Sequence, residues 1–176
     1  MRFANYEVRC LKKSDAACYF KLIQDNTQQL ENFLAGIVSK TRTLTDTETF
    51  VGNLVQNEVE KTHFPYIVAD TGSQKLVGYI EVKNIDWNIP KGEIGYFVDK
   101  DHTGNGIGTQ MLQLIADHFL VELRFRKLLL RIHEENHSSR KVAEKNDFKV
   151  EGTIRNDYKT RSSQVVDMLY YGKTGD

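Results

Sequence analysis

The chain has 176 residues, 40% of them hydrophobic, enough to bury a sizeable core as one domain over residues 1–176. Lys plus Arg and Asp plus Glu stand at 24 each, so no basic field exists to drive binding to nucleic acid or to a membrane surface. Residues 1–7 lack the apolar core of a signal peptide, and no apolar run approaches the roughly 20 residues of a membrane span, so a soluble, cytoplasmic protein is expected. Cys10 and Cys18 form no CxxC and read as buried free thiols rather than a disulfide framework or zinc ribbon.

Residues 7–11 alternate as a strand does, and Ser14-Asp15 offers a cap for a helix carrying Ala17, Phe20, Leu22 and Ile23. Between Ala35 and Leu44 no period is sustained. Thr45-Asp46-Thr47-Glu48 matches a capping box ahead of Phe50, Val51, Leu54, Val55 and Val59, a stripe at helical spacing. Residues 65–70 and 75–86 read as a hairpin turned at Asp70-Thr71-Gly72-Ser73. A strand over 93–99 precedes a glycine-rich loop and a helix with Ile107, Met111, Leu114, Ile115 and Phe119 on one face. Residues 128–132 have the apolar character of a strand buried on both sides. A short helix over 138–146 and strands over 148–154 and 165–171 complete the order β-α-α-β-β-β-α-β-α-β-β, which predicts an α+β arrangement of helices on a mixed sheet.

The loop His102-Thr103-Gly104-Asn105-Gly106-Ile107-Gly108-Thr109 stands between a strand and a helix. Glycine permits backbone conformations closed to other residues, and the following helix directs unpaired N–H groups and its positive dipole end at any anion there, so a phosphate-bearing ligand is expected. Two familiar ligands fail on spacing. A nucleoside-triphosphate loop needs Gly-Lys-Ser/Thr, and Gly108-Thr109 has no lysine; a dinucleotide fingerprint needs a third Gly where Thr109 stands.

His133-Glu134-Glu135-Asn136-His137 matches H-E-x-x-H, which in zinc peptidases sets two His one helical turn apart. It works only inside a helix, and no apolar residue from 133 to 141 would bury one. Strand and then solvated loop is the expected context, with no metal.

The strand, loop and helix over 93–112 resemble the coenzyme A loop of the GNAT superfamily of N-acetyltransferases, whose pattern is Gln/Arg-x-x-Gly-x-Gly/Ala. Its glycines fall on Gly106 and Gly108, and its Gln/Arg position is Thr103. Residues 136–152 resemble the Asn-x-x-Ser-x-x-x-x-Glu-Lys-x-Gly-Phe-x-x-Glu-Gly stretch of the ribosomal-protein alanine and serine N-terminal acetyltransferases, with Asp147 in place of the Gly before Phe148. Ile85-Asp86-Trp87, Glu93 to Tyr96, Gly152 to Arg155 and Asp167 to Tyr171 fit the same subfamily. The resemblance covers nearly all the chain. It implies the acyl-coenzyme A N-acyltransferase fold: a mixed central sheet of about seven strands with helices on both faces.

The resemblance also implies acetyl transfer from acetyl-coenzyme A to a primary amine in a ternary complex, without a metal. Phe97 and Val98 would pair with the pantetheine arm, and the amides of Thr103, Gly104, Asn105, Gly106, Ile107 and Gly108 would hold the pyrophosphate, with a hydroxyl from Thr109. Asn136 matches the residue at the pantetheine end, and Ser139 the one that protonates the departing thiolate. The family Glu beyond the Glu-Gly motif is Tyr158 here, a poor base unless its pKa of about 10 is strongly lowered. Glu93 is a substitute that would act through water, and a base is dispensable where a free N-terminal amine, of pKa about 8, is already partly neutral. The acceptor is a protein N-terminus or, from Glu81 and Glu93, a polyamine. A silent acyl-coenzyme A sensor and a zinc peptidase stand as other classes, and monomer and homodimer are both open.

Overall fold

Alternating apolar residues give the central sheet two buried faces. The computed structural model describes residues 1–160 and 163–175. Its strands are β1 (Arg2–Phe3), β2 (Tyr6–Cys10), β3 (Phe64–Asp70), β4 (Leu76–Asp86), β5 (Lys91–Val98), β6 (Lys127–His133), β7 (Lys149–Lys159) and β8 (Val165–Thr174). They form one sheet of eight strands in the order β1-β2-β3-β4-β5-β6-β8-β7. Every pairing is antiparallel except β5 with β6. The strand beyond the expected seven is β1, which folds back on β2 and is held as the Met1 ammonium donates to the Val8 carbonyl at 2.9 Å.

Helices α1 (Ala16–Asp25), α2 (Thr27–Phe33), α3 (Ala35–Lys40) and α4 (Leu44–Val59) precede β3, α5 (Ile107–Asp117) follows β5, and α6 (His137–Lys145) follows β6. In β3, Tyr66 and Val68 join the core beneath α5, whereas Ile67 and Ala69 join the core beneath α1 and α4. Ile107, Met111, Ile115 and Phe119 are at most 2% exposed, each contributing roughly 1.5–3 kcal/mol by burial.

Several sequence expectations need correction. The 35–44 segment, read as aperiodic, contains α3, and α2 before it was not anticipated. Helix α4 starts earlier than Thr45: Thr43 Oγ1 accepts from Asp46 N at 3.1 Å while Asp46 Oδ2 accepts from Thr43 N, a capping box closed by Asp. Strand β6 is not buried on both sides. Leu128, Leu130 and Ile132 are buried, but Leu129, Arg131 and His133 are half-buried, because the α1–α4 core does not extend over β6. Cys18 is exposed on α1 rather than buried, while burial pushes the half-buried Cys10 thiol up to about 12. No described helix is long and apolar enough to cross a membrane.

Candidate active site

Strands β5 and β6 pair only where Lys91 to Ile94 face Lys127 to Leu130. Beyond that ladder β5 continues to Val98 and β6 to His133, and a wedge opens between them, lined by Ile94, Gly95 and Tyr96 on one side and Leu130 to His133 on the other. The backbone of β5 past Ile94 therefore has one edge without a strand partner, hydrogen-bonding groups that a ligand can satisfy.

The glycine loop lies at the wide end. Gly104 and Gly106 adopt φ of +81° and +80°, the left-handed region that favours glycine. Gly106 is the N-cap of α5 and offers no side chain, so the first N–H groups of that helix face outward without a cap. A Cβ at Gly108 would stand 3.6 Å from Val98 and Val142, ordinary contact, so glycine there leaves the first turn of α5 open rather than relieving a clash.

Asp99, 1% exposed, anchors the loop's lead-in by accepting from Asn26 Nδ2, Lys75 Nζ and His102 Nδ1, each at 3.0 Å. Burial would raise its pKa, but these partners hold its carboxyl below the usual range. Asn26 Oδ1 also accepts from Lys100 N at 2.7 Å, tying the loop to the α1–α2 junction.

A groove of about 530 Å³ runs along the loop. The structure brings to it Phe97, Val98, Thr103, Gly104, Gly106, Ile107, Gly108, Thr109, Asn136 and Ser139; of the residues expected there, Asn105 does not line it. Phe97 packs its ring in the α1–α4 core, so its contribution is backbone. Sequence reasoning missed two walls. Gln29, Leu30, Phe33 and Leu34 form one, with Gln29 Nε2 donating to the Val98 carbonyl at 3.2 Å; Lys141, Val142 and Lys145 on α6 form the other. The signal was present in Leu30, Phe33 and Leu34 at i, i+3, i+4 spacing.

A smaller cavity of about 60 Å³ fills the wedge and shares Phe33, Leu34, Tyr96, Asn136 and Ser139 with the groove. Asn136 caps α6: its Oδ1 accepts from Ser139 N at 3.1 Å and from Ser138 Oγ at 2.9 Å. The Ser139 hydroxyl takes no partner among the described residues. Tyr96 donates its hydroxyl to the Ser139 carbonyl at 3.4 Å, and burial raises its pKa, keeping it neutral.

Tyr158 lines the small cavity, and its hydroxyl accepts from Ala35 N at 3.1 Å. Glu93 lines neither cavity. It accepts from Asn84 Nδ2 at 3.0 Å and lies 3.9 Å from Arg131 Nη1. Arg131 donates through Nε and Nη2 to Asp157 Oδ2 at 3.1 and 2.7 Å, and Tyr170 donates to the same oxygen at 3.1 Å. This cluster holds β7 where its register with β8 shifts between Ile154 and Tyr158.

Glu81 is 3% exposed and its oxygens are occupied by Tyr79 Oη at 2.7 Å, Lys83 Nζ at 2.6 Å and His63 Nε2 at 3.0 Å. Burial alone would raise its pKa; the His63 hydrogen bond and the Lys83 charge instead bring it down to about 2. A carboxylate so engaged is not free to attract a polyamine. In the H-E-x-x-H stretch β6 ends at His133 and α6 begins at His137, so the two imidazoles are not a helical turn apart, and Glu135 N donates to His133 Nδ1 at 3.2 Å. No group of three or more His, Cys, Asp or Glu among the described residues is placed to hold a metal ion.

Comparison with known proteins agrees with this arrangement. The acetyltransferase (GNAT) domain family matches residues 6–149. The ribosomal-protein-serine acetyltransferase of Escherichia coli (strain K12) is 32% identical over 46% of this chain and 45% of its own length. The relative named "Probable N-acetyltransferase YjcK", of Bacillus subtilis (strain 168), is 32% identical over 57% of this chain and 55% of its own length. The chain thus spans about half the length of these two curated relatives. Among solved structures, the ribosomal-protein-S5-alanine acetyltransferase of Vibrio fischeri superposes with a TM-score of 0.91 at 21% identity, covering 100% of this chain and 96% of that one. A ribosomal L7/L12 alpha-N-protein acetyltransferase in complex with coenzyme A does so with a TM-score of 0.90 at 20% identity, covering 99% and 96%. The chain belongs to the GNAT acetyltransferase family and has its fold.

Proposed function

We propose that this GNAT acetyltransferase, acting as one domain, moves an acetyl group from acetyl-coenzyme A to the N-terminal α-amine of a protein. The observation that carries the reading is the junction of two cavities: a groove beside the glycine loop opens, at Tyr96, Asn136 and Ser139, into a small pocket inside the wedge. A thioester laid in the first presents its carbonyl at the mouth of the second. The similarity to ribosomal-protein serine and alanine acetyltransferases supports a protein N-terminus as acceptor.

In this reading the pantetheine arm lies along the free edge of β5, and the uncapped N–H groups of α5 meet the pyrophosphate. The amine nitrogen attacks the thioester carbon, the C–S bond breaks, and the thiolate takes the Ser139 hydroxyl proton, which water replaces. The proton leaving the amine passes to water. The Ser139 hydroxyl suits this role because no described protein group competes for it. Glu93 would reach the amine only through intervening water, and Tyr158, whose oxygen already accepts from Ala35, acts by shaping the pocket.

The test is mass spectrometry of peptides beginning with Ser or Ala after incubation with acetyl-coenzyme A, with spermidine as a parallel acceptor. Acetylation confined to the α-amine of the peptides supports the reading; spermidine acetylation with inert peptides refutes it.

A further inference from the structure

The coenzyme groove carries cations and no acid. Its lining residues include Lys141 and Lys145 and no Asp or Glu, in a chain whose net charge is zero. The two lysines stand four residues apart on α6 and so share a face. Both are exposed, and neither forms an ion pair or a side-chain hydrogen bond among the described residues. The nearest acid on the same helix, Glu144, is engaged elsewhere, accepting from Tyr171 Oη at 3.2 Å. Helix α6 is held against the loop and α5: Asn146 Nδ2 donates to the Thr109 carbonyl at 3.2 Å, and Val142 lies beside Gly108.

Along α6 the groove-lining positions run from Ser138 to Lys145, about 10 Å at 1.5 Å per residue, from the wedge toward solvent. The segment Thr103 to Thr109 holds no Lys or Arg, so it meets phosphate through backbone N–H groups and neutral hydroxyls. That suits a diphosphate diester. A terminal phosphate monoester is a more highly charged, strongly hydrated anion, better met by ammonium groups at a wet rim. Resting on the coenzyme reading of the groove, we propose that Lys141 and Lys145 form a second anion subsite that takes the ribose 3′-phosphate, making the protein selective for coenzyme A over its 3′-dephospho form.

Isothermal titration of the whole chain and of its Lys141→Gln/Lys145→Gln variant with each of these two ligands tests this. The unaltered protein is expected to bind coenzyme A roughly tenfold more tightly than the dephospho form. The variant should bind both as the unaltered protein binds the dephospho form, which also certifies that it is folded. Equal affinity of the unaltered protein for the two ligands overturns the subsite and leaves the coenzyme reading intact. A variant that weakens both ligands alike also overturns it, assigning the lysines to the diphosphate. If the unaltered protein binds neither, the coenzyme reading itself fails.

Discussion

The backbone N–H of Ala35 donates to the Tyr158 hydroxyl across 3.1 Å, joining the start of α3 to β7 over a sequence separation of 123. This bond closes the small pocket between Leu34 and the irregular stretch of β7. Tyr158→Phe should therefore raise the acceptor KM by roughly three- to tenfold, the worth of one hydrogen bond, and leave coenzyme affinity unchanged. Steady-state kinetics with a peptide acceptor, alongside coenzyme titration, would separate the two; a large loss of kcat at constant KM would make Tyr158 a participant in proton transfer instead.

Replacing Gly106 with Val puts a β-branched side chain at φ +80°, costing about 1–2 kcal/mol locally. Open space surrounds the position, so the rest of the fold should persist while the first turn of α5 is displaced. Coenzyme binding by titration should be lost with far-UV circular dichroism preserved. Binding at the original affinity would show that the loop amides do not hold the ligand.

If the Ser139 hydroxyl protonates the departing thiolate as proposed, Ser139→Ala should lower kcat on the order of 10²-fold while coenzyme affinity changes little. Matched losses in kcat and in affinity would assign Ser139 to binding.

Glu81 makes a prediction about pH. Its folded pKa of about 2 lies below the 4.5 of an ordinary Glu, so its stabilising contribution is complete above pH 4.5 and is lost as pH falls from there toward 2. Glu81→Gln should destabilise the protein near pH 7 and remove part of the acid-induced loss in that window. Denaturant melts at pH 7 and pH 3 would measure both effects; a variant whose stability tracks the parent at both pH values would contradict the buried-network account.

The strands, the hairpin turn and the glycine loop were legible because each rests on local chemistry. Asp70 accepts from Ser73 N at 2.7 Å, as its place in the turn anticipates. Asn136 and Ser139 were marked by the resemblance to the Asn-x-x-Ser stretch, and both line the groove and the small cavity. What escaped depends on partners distant in sequence. The run Leu128 to Ile132 is apolar but for Arg131, and only neighbouring elements decide which of its faces is covered. Helix α2 buries only Leu30, and although Leu30, Phe33 and Leu34 carry a helical spacing, that they wall the groove depends on where the chain places them, with Asn26 bound to Asp99 and Lys100. The place of Glu93 on β5 is local, but its engagement by Asn84 and Arg131 is not.

The short ladder between β5 and β6 divides the sheet into two halves, β1 to β5 and β6 to β8, stitched by four residue pairs. A ligand seated in the wedge would lengthen that seam and act as a missing strand. Substrate would then be part of the architecture: the thioester's arrival would stiffen the mouth of the acceptor pocket before any amine enters. Release of the spent thiol would loosen it again, coupling turnover to the making and breaking of a β-ladder.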